Sequence, residues 1–203
     1  VIVSIIWYYY ITKSNAALLV IIGWAAIQSA IGISGIYQYT DAIPPRIMLF
    51  GILPALVIIA ITLLTDRGTA LIDQTNLKTL SYFHSIRLPV EIMLTALFHY
   101  GVMSVYATFE GTNFDIFTGL SAPLVAYFGF KAGKRNKTLL LSWNILCMLL
   151  LFNVVITAIF AFPSPFQKLA FDQPNIALLY FPFNLLPTLI VPLVLFGHLV
   201  AIR

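Results

Sequence analysis

The 203-residue chain is 61% hydrophobic, only 9% charged, and carries a formal net charge of +4. Soluble globular proteins average about one quarter charged residues, so this composition excludes an ordinary water-soluble globule. The single cysteine, Cys147, excludes an internal disulfide framework and has no metal-ligand spacing around it. Lipid is therefore the expected solvent, and we predict an all-α integral membrane protein.

Long apolar stretches predict the membrane spans. A spanning helix needs about 20 mostly apolar residues, and six segments approach or exceed that length: 16–37, 45–64, 89–108, 114–130, 138–162 and 179–202. Residues 1–11 are apolar but too short to span alone, so they predict part or all of a seventh helix. The predicted fold is a polytopic transmembrane helical bundle of six complete spans plus this seventh, forming a single integral membrane domain over residues 1–203.

The connection over residues 65–88 is the only one long enough to hold structure of its own. Its apolar residues recur at roughly helical spacing: Leu71, Ile72, Leu77, Leu80 and Phe83. This spacing predicts an amphipathic helix that lies at the membrane interface.

The basic residues predict the orientation. Short cytoplasmic loops retain Lys and Arg, and nine of the eleven fall in one alternating set of connections, leaving only Arg46 and Lys168 in the other. This distribution places the N-terminus outside and the C-terminus, with segment 65–88, in the cytoplasm. The positive net charge therefore reflects the orientation of the chain in the membrane, and nucleic acid is not an expected partner.

The external connections predict an acidic, aromatic-rich mouth. Their charged residues are Asp41, Glu110, Asp115 and Asp172 against Arg46 and Lys168. Loops on a rigid scaffold often carry function, so Glu110, Asp115 and Asp172 are ligand-binding candidates. A structural alternative is that Asp115 caps the helix that follows it, and we weigh the cap slightly ahead.

Polar side chains within the predicted spans form two layers. Because polar groups are costly in hydrocarbon, each one marks either a functional site or a contact between helices. The deeper layer is Gln28, His99, Asn153 and Asn184, of which the last three are ligand candidates. The cytoplasmic-side candidates are Glu91, Asn144 and His198, together with Arg87.

Several of these residues have structural alternatives. Glu91 follows Pro89 in the first helical turn, where the helix dipole favours a carboxylate, and Arg87 four residues earlier predicts a local ion pair. His198 lies near the end of the last helix, where the dipole favours a cation. His99 lies about two turns from Glu91 on roughly the same face, yet one interhelical hydrogen bond would satisfy it.

Most cofactor chemistry is excluded by the motifs. Every Lys lies in or beside a connection, which argues against retinal, and the chain has no P-loop, GxSxG, CxxC or HExxH. Haem on His99 and His198 is a weaker option, because their estimated depths differ by on the order of 10 Å at helical rise. We therefore predict no metal and no cofactor.

Three segments resemble a known group of proteins. They are RLPVEIML, FEGTNFDIFTGLSAP and FDQPNIALLYFPF, and they are similar to segments of uncharacterised bacterial multi-spanning membrane proteins. The resemblance runs across most of the chain and implies a bacterial inner-membrane location. It implies no activity and no catalytic residue.

Three functions follow, and we prefer the first. It is a small-solute transporter, channel or ligand-binding membrane protein whose acidic mouth leads to His99, Asn153 and Asn184. The second is an intramembrane enzyme for a lipid or quinone-like substrate, which requires Glu91 and His198 within about 3 Å or one water of each other. The third is a non-catalytic assembly or scaffold subunit, bound to a partner or to its own copies.

The last predicted span supports this preference together with the acidic outer loops and the layered polar groups, although prolines are also generally common in membrane helices. Pro182, Pro187 and Pro192 recur every five residues, which predicts a bent or interrupted helix because proline lacks an N–H. Interruptions of this kind often lie beside binding sites in transporters. The expected partners are therefore the lipid bilayer and a small-molecule ligand, and an enzyme is the less favoured class.

Overall fold

The computed structural model describes residues 1–131 and 134–203, which are helical or irregular throughout. The α-helices are α1 (Ile2–Thr12), α2 (Asn15–Ile33), α3 (Leu53–Leu64), α4 (Asp66–Asp73), α5 (Leu77–Phe83), α6 (Arg87–His99), α7 (Asp115–Gly129), α8 (Lys137–Phe160) and α9 (Val191–Ile202). The chain divides into two compact units. Unit 1 comprises Val1–Leu77 and Leu178–Phe196, and unit 2 comprises Lys78–Ala177 and Gly197–Arg203.

The all-α class is confirmed, but the predicted bundle of six or seven spans is wrong. In the described part of the chain, two helices are long and apolar enough to cross a membrane, α2 and α8. A third candidate is the pair Met48–Leu64 and Asp66–Asp73, which is bent by 82°.

The remaining apolar runs form helices that are too short to span. Helix α6 has 13 residues and α7 has 15, which gives lengths of about 20 and 23 Å at 1.5 Å per residue. The hydrocarbon core of a bilayer is about 30 Å thick. Just past the end of α6, Gly101 has a φ of 77°, a left-handed conformation that glycine adopts readily. Apolar composition therefore did not predict helix length.

The predicted span over residues 89–108 doubles back. Arg87 begins α6 and Asp115 begins α7, and their side chains lie 3.0 Å apart. Close packing accompanies this contact, since a Cβ added to Gly119 would lie 2.7 Å from the backbone nitrogen of Leu88. The sequence placed Arg87 and Asp115 on opposite faces of the membrane, and their contact overturns that placement.

The predicted interfacial helix over residues 65–88 is two short helices, α4 and α5. The Thr65 side chain caps α4 by accepting from the Gly68 N–H at 3.3 Å, and α4 ends at Asp73. Leu80 and Phe83 of α5 are fully buried. In α5, the helical spacing of the apolar residues therefore reflects packing inside the protein.

The last predicted span is locally distorted at its prolines, as they predict. Leu186–Ile190 forms a π-helical turn that contains Pro187 and continues directly into α9, so Leu186–Ile202 is one apolar helix. A proline inside a regular helix removes a hydrogen bond and crowds the preceding turn. Residues 179–202 therefore end in the helix Leu186–Ile202, which is shorter than a complete span.

Side-chain amides and glycines hold unit 1 together. Asn184 donates to the Gln28 carbonyl oxygen at 2.8 Å and fills the space beside Gly32, where an added Cβ would lie 2.6 Å from Asn184 Oδ1. Gln28 donates to the Phe50 carbonyl oxygen at 3.0 Å and accepts from the Tyr37 hydroxyl. Asn184 and Gln28 therefore join α2 to neighbouring segments, which is the helix-packing alternative for polar residues.

Candidate functional site

A buried polar cluster centres on Arg87 in unit 2. The Arg87 cluster consists of Arg87, Asp115, Asn144, His198 and His84. Arg87 Nη1 donates to Asp115 Oδ1 at 3.0 Å and to the Cys147 carbonyl oxygen at 3.3 Å. The two side chains of the ion pair are only 4% and 11% exposed. A buried pair of this kind is strongly destabilised when one partner is lost.

The hydrogen bonds of His198 define its tautomer. Arg87 Nη2, which can only donate, lies 3.2 Å from His198 Nε2, so this ring nitrogen accepts. His198 Nδ1 therefore carries the proton and donates to Asn144 Oδ1 at 2.9 Å. Both ring nitrogens face protein groups, and haem ligation by His198 would have to displace one of them.

His84 belongs to the cluster and was missed by the sequence analysis. Its ring stacks on His198 with centroids 3.9 Å apart, and Trp143 meets its edge. Both ring nitrogens are buried, and neither has a hydrogen-bond partner among the described residues. Burial and the charge of Arg87 lower the pKa of His84 well below its ordinary value. The available sequence signal was weak: His84 follows the buried Phe83 and precedes Arg87 by three residues.

Glu91 lies on α6 and contacts the segment between α6 and α7. Asn113 Nδ2 donates to Glu91 Oε2 and, at 2.9 Å, to the Ala107 carbonyl oxygen. Burial raises the pKa of Glu91 to about 7, while the Phe109 backbone N–H lowers it and the charge of Asp115 raises it further. Glu91 is therefore close to half-protonated at neutral pH.

Two pairs predicted for Glu91 are not formed in the described part of the chain. Arg87 makes its ion pair with Asp115 and not with Glu91. Glu91 and His198 share no hydrogen bond, since their partners are Asn113 on one side and Arg87 and Asn144 on the other. The direct hydrogen bond that the enzyme hypothesis allows is therefore not formed among the described residues.

Asp115 does not cap α7, although the sequence favoured that role. Phe114 occupies the N-cap position, and Asp115 is the first helical residue. The Asp115 N–H donates to Asn113 Oδ1 at 2.9 Å, so the capping acceptor belongs to Asn113. The carboxylate of Asp115 is instead buried against Arg87.

The remaining ligand candidates, from the predicted loops and spans, have separate surroundings. His99 Nε2 contacts Glu110 Oε1 at 3.1 Å, with side chains 62% and 38% exposed. Asn153 donates to the Thr112 carbonyl oxygen at 2.8 Å, and Asp172 is exposed. Asn184 belongs to unit 1 and packs against α2. The predicted ligand candidates are thus distributed over several local contacts.

The FDQPN segment, residues 171–175, fastens the irregular chain after α6. Gln173 Nε2 donates to the carbonyl oxygens of Phe98 and Met103 at 2.8 and 2.6 Å. Asn175, which is fully buried, accepts from the Ser104 N–H at 2.9 Å. Buried backbone groups outside regular helices need such partners. This motif therefore has a structural use in unit 2.

Unit 1 contains a cavity of about 600 Å³, which we call the N-terminal cavity. Helices α1 to α4 and the chain from Thr188 to Phe196 line it. Its walls are mostly apolar and include Ala17, Val20, Ile21, Ile58, Leu193 and Phe196. Ligand sites are usually preformed, mostly apolar and of about this size. The sequence analysis missed this cavity because no motif marks an empty space.

The charged side chains lining the cavity are both basic. Lys13 lies directly before α2, and Arg67 lies in the first turn of α4. Within residues 1–131 and 134–203, no acidic side chain lines the cavity and neither basic side chain forms an ion pair. Both are exposed. The cavity therefore combines apolar walls with unpaired positive charge.

Comparisons with known proteins bear mainly on unit 2. The sequence model of a family described as Domain of unknown function (DUF8737) matches residues 44–203, which is most of the chain. The chain belongs to this family. No curated protein and no solved structure matches it. The matched range contains the whole Arg87 cluster, whereas α1 and α2, which line the N-terminal cavity, precede it.

Proposed function

We propose that this chain is a membrane-inserted protein that binds a small molecule in the N-terminal cavity. The observation that carries the proposal is the preformed cavity of about 600 Å³ in unit 1, which has the size and apolar lining of a ligand site. The proposal retains ligand binding from the predicted functions. It moves the site from the outer loops to unit 1.

Exposed apolar side chains on the long helices support insertion into a bilayer. Leu19 and Ile33 of α2 are each 69% exposed, and Leu146 and Leu149 of α8 are 56% and 58% exposed. Rows of such side chains are unfavourable in water and favourable in lipid. Since α2 also lines the cavity, a ligand dissolved in the bilayer has a short route to it.

The cavity walls are preorganised. Trp24 donates through Nε1 to the Thr188 carbonyl oxygen at 2.8 Å, and the Tyr8 hydroxyl donates to the Leu193 carbonyl oxygen. Both residues line the cavity. Because their polar atoms bond within the protein, they contribute apolar ring surface, and a fixed wall lowers the entropy lost on binding.

The Arg87 cluster is a poorer candidate because Arg87, Asp115, Asn144 and His198 bind one another, although Arg87 Nε and the ring nitrogens of His84 lack partners among the described residues. Arg87 contacts Asp115 and His198, and His198 also contacts Asn144. A ligand there would have to replace hydrogen bonds that are already made in a buried environment, where broken ones are costly. Ligand binding is therefore assigned to unit 1.

Filling the cavity tests the proposal. Ala16 and Ala70 line the cavity but are exposed, so phenylalanine at both positions fills it with little disturbance of buried packing. We expect oleyl alcohol, added to the purified protein in nonionic micelles, to raise the thermal unfolding midpoint of the wild type saturably. A ligand that binds only the folded state has this effect. Ala16→Phe/Ala70→Phe should abolish it.

Ala60→Phe is the matched control, because Ala60 is exposed on α3 and is not among the residues that line the cavity. This variant should respond to oleyl alcohol as the wild type does. Equal stabilisation of the cavity-filled variant would mean that the alcohol binds elsewhere, and it would overturn the proposal.

A further inference from the structure

We propose that the ligand of the N-terminal cavity is a single-chain amphiphile with an anionic head, of the fatty-acid class, and that Lys13 and Arg67 hold this head. The inference rests on the proposed function and names the ligand class of the same cavity. The position of both basic residues at one end of an apolar space carries it.

Contacts near Gln28 fix how α2 and α3 run past each other. Gln28 Nε2 donates to the Phe50 carbonyl oxygen at 3.0 Å, and a Cβ added to Gly51 would lie 3.3 Å from Gln28 Oε1. Ser14 lies fourteen residues before Gln28, and Thr65 lies fourteen residues after Gly51. Each distance is about 21 Å at helical rise. Because both helices line one cavity, Ser14 and Thr65 mark the same end of it.

The two basic residues lie next to these markers. Lys13 directly precedes Ser14, and Arg67 follows Thr65 by two residues. Thr62, one turn before the bend, also lines the cavity and adds a hydroxyl group. With no acidic residue among the described lining residues, this end carries two positive charges that attract an anion.

The rest of the cavity suits an acyl chain. Trp24 lies eleven residues beyond Lys13 on the cavity-lining side of α2, about 16 Å away at helical rise. Ala55 and Ile59 line it on α3. A polar ligand of that length would lose hydrogen bonds to water against these walls, whereas an acyl chain would gain from burial.

The bend between α3 and α4 places Lys13 and Arg67, at the basic end of the cavity, at the depth of the lipid head groups. The chain turns by 82° between Leu64 and Asp66, so α4 lies along the membrane surface when α3 crosses the bilayer. Basic side chains at the ends of spanning segments reach the level of the lipid head groups. The head of an anionic amphiphile lies at that same level.

Comparison of oleate with oleyl alcohol isolates the head group, because the two share one acyl chain. We expect wild-type protein in nonionic micelles at pH 9 and low salt to bind oleate about tenfold or more tightly than oleyl alcohol. Charge-assisted hydrogen bonds are strong enough for such a ratio. The measurement is the ligand dependence of the thermal unfolding midpoint.

Lys13→Gln/Arg67→Gln should remove the preference for oleate and leave oleyl alcohol binding unchanged. Lys78→Gln/Arg135→Gln is the charge-matched control, since Lys78 and Arg135 are exposed and neither is among the cavity-lining residues. The preference should persist in this control. In the wild type, the preference for oleate should weaken in high salt, because salt screens exposed charges.

The outcomes separate this inference from the proposed function. Equal binding of oleate and oleyl alcohol, both blocked by Ala16→Phe/Ala70→Phe, would overturn the anionic head and leave the proposed function standing. A preference for oleate that survives Lys13→Gln/Arg67→Gln would overturn the assigned head-group residues. If Ala16→Phe/Ala70→Phe binds both probes as the wild type does, the assignment of the site to this cavity would be overturned.

Discussion

The two units use charged side chains in different ways. In unit 2, Arg87 is buried and paired with Asp115, while in unit 1 Lys13 and Arg67 are exposed beside an apolar cavity and unpaired among the described residues. A buried charge that already has its partner holds the fold together. A charge without a partner keeps its capacity to bind a ligand. In this protein, buried polar residues therefore mark architecture more than binding.

The family match does not follow this division. It covers all of unit 2 and residues 44–77 and 178–196 of unit 1, and it begins after both α1 and α2. Glu91, Asn113 and Asn175 lie in the matched range, and each makes contacts that hold unit 2. The matched range therefore includes the contacts that hold unit 2 and also the α3, α4 and Thr188–Phe196 walls of the N-terminal cavity.

Loss of Asp115 should have the largest effect and would test whether the Arg87 cluster is structural. We expect Asp115→Ala to lower the free energy of unfolding by about 3 to 5 kcal/mol, because it leaves a buried arginine without its partner. Asp172→Ala is the control, since Asp172 is exposed and should change it by less than about 0.5 kcal/mol. Chemical denaturation in micelles measures both.

A double variant sharpens this prediction. Arg87→Met/Asp115→Leu removes both charges and should be more stable than Asp115→Ala, because no buried charge is left alone. A loss below about 1 kcal/mol for Asp115→Ala would contradict a buried, structural ion pair. The cluster would then be more hydrated than its contacts indicate, and the contrast with unit 1 would weaken.

The pH dependence of stability should show the next largest effect. The folded-state pKa of Glu91 is raised from its ordinary value of 4.5 to about 7, so the folded protein binds this proton more tightly than the unfolded chain. The resulting stabilisation is full below pH 4.5 and is lost as the pH rises through 7. Its size is about 3 kcal/mol at 1.36 kcal/mol per pKa unit.

Glu91→Gln isolates this contribution, because glutamine can still accept from Asn113 but does not titrate. Denaturation between pH 5 and 8 should show wild-type stability falling with pH more steeply than that of the variant. Parallel curves for the two proteins would mean that Glu91 has an ordinary pKa and is exposed to water.

Local features of the fold could be predicted from the sequence. Composition indicated the helical class, the apolar runs 16–37 and 138–162 indicated α2 and α8, and proline spacing indicated the distortion at Pro187. The turn back between α6 and α7 could not be predicted, because it depends on Arg87 meeting Asp115, 28 residues away. Apolar residues look alike whether lipid or protein covers them.

The candidate sites, too, could be predicted from the sequence only in part. Sequence reasoning chose Arg87, Asp115 and His198 one at a time, and the structure gathers them in one cluster. The N-terminal cavity is formed by mostly apolar residues from several elements, which leave no motif. By the positive-inside rule, Lys13 and Arg67 are ordinary cytoplasmic charges. Their common position at one end of the cavity could be found only from the fold.

Substitutions of His84 and His198 should have the smallest effects on stability, and they test whether the hydrogen bonds of unit 2 hold the fold together. Both ring nitrogens of His84 lack partners among the described residues, so His84→Phe keeps the stacked ring and removes no hydrogen bond. Its unfolding free energy should stay within about 1 kcal/mol of the wild type. His198→Phe breaks contacts to Arg87 and Asn144 and should lose about 2 to 3 kcal/mol. Equal losses, measured by chemical denaturation in micelles, would mean that His84 has a polar partner in solution, and unit 2 would then hold a second candidate site.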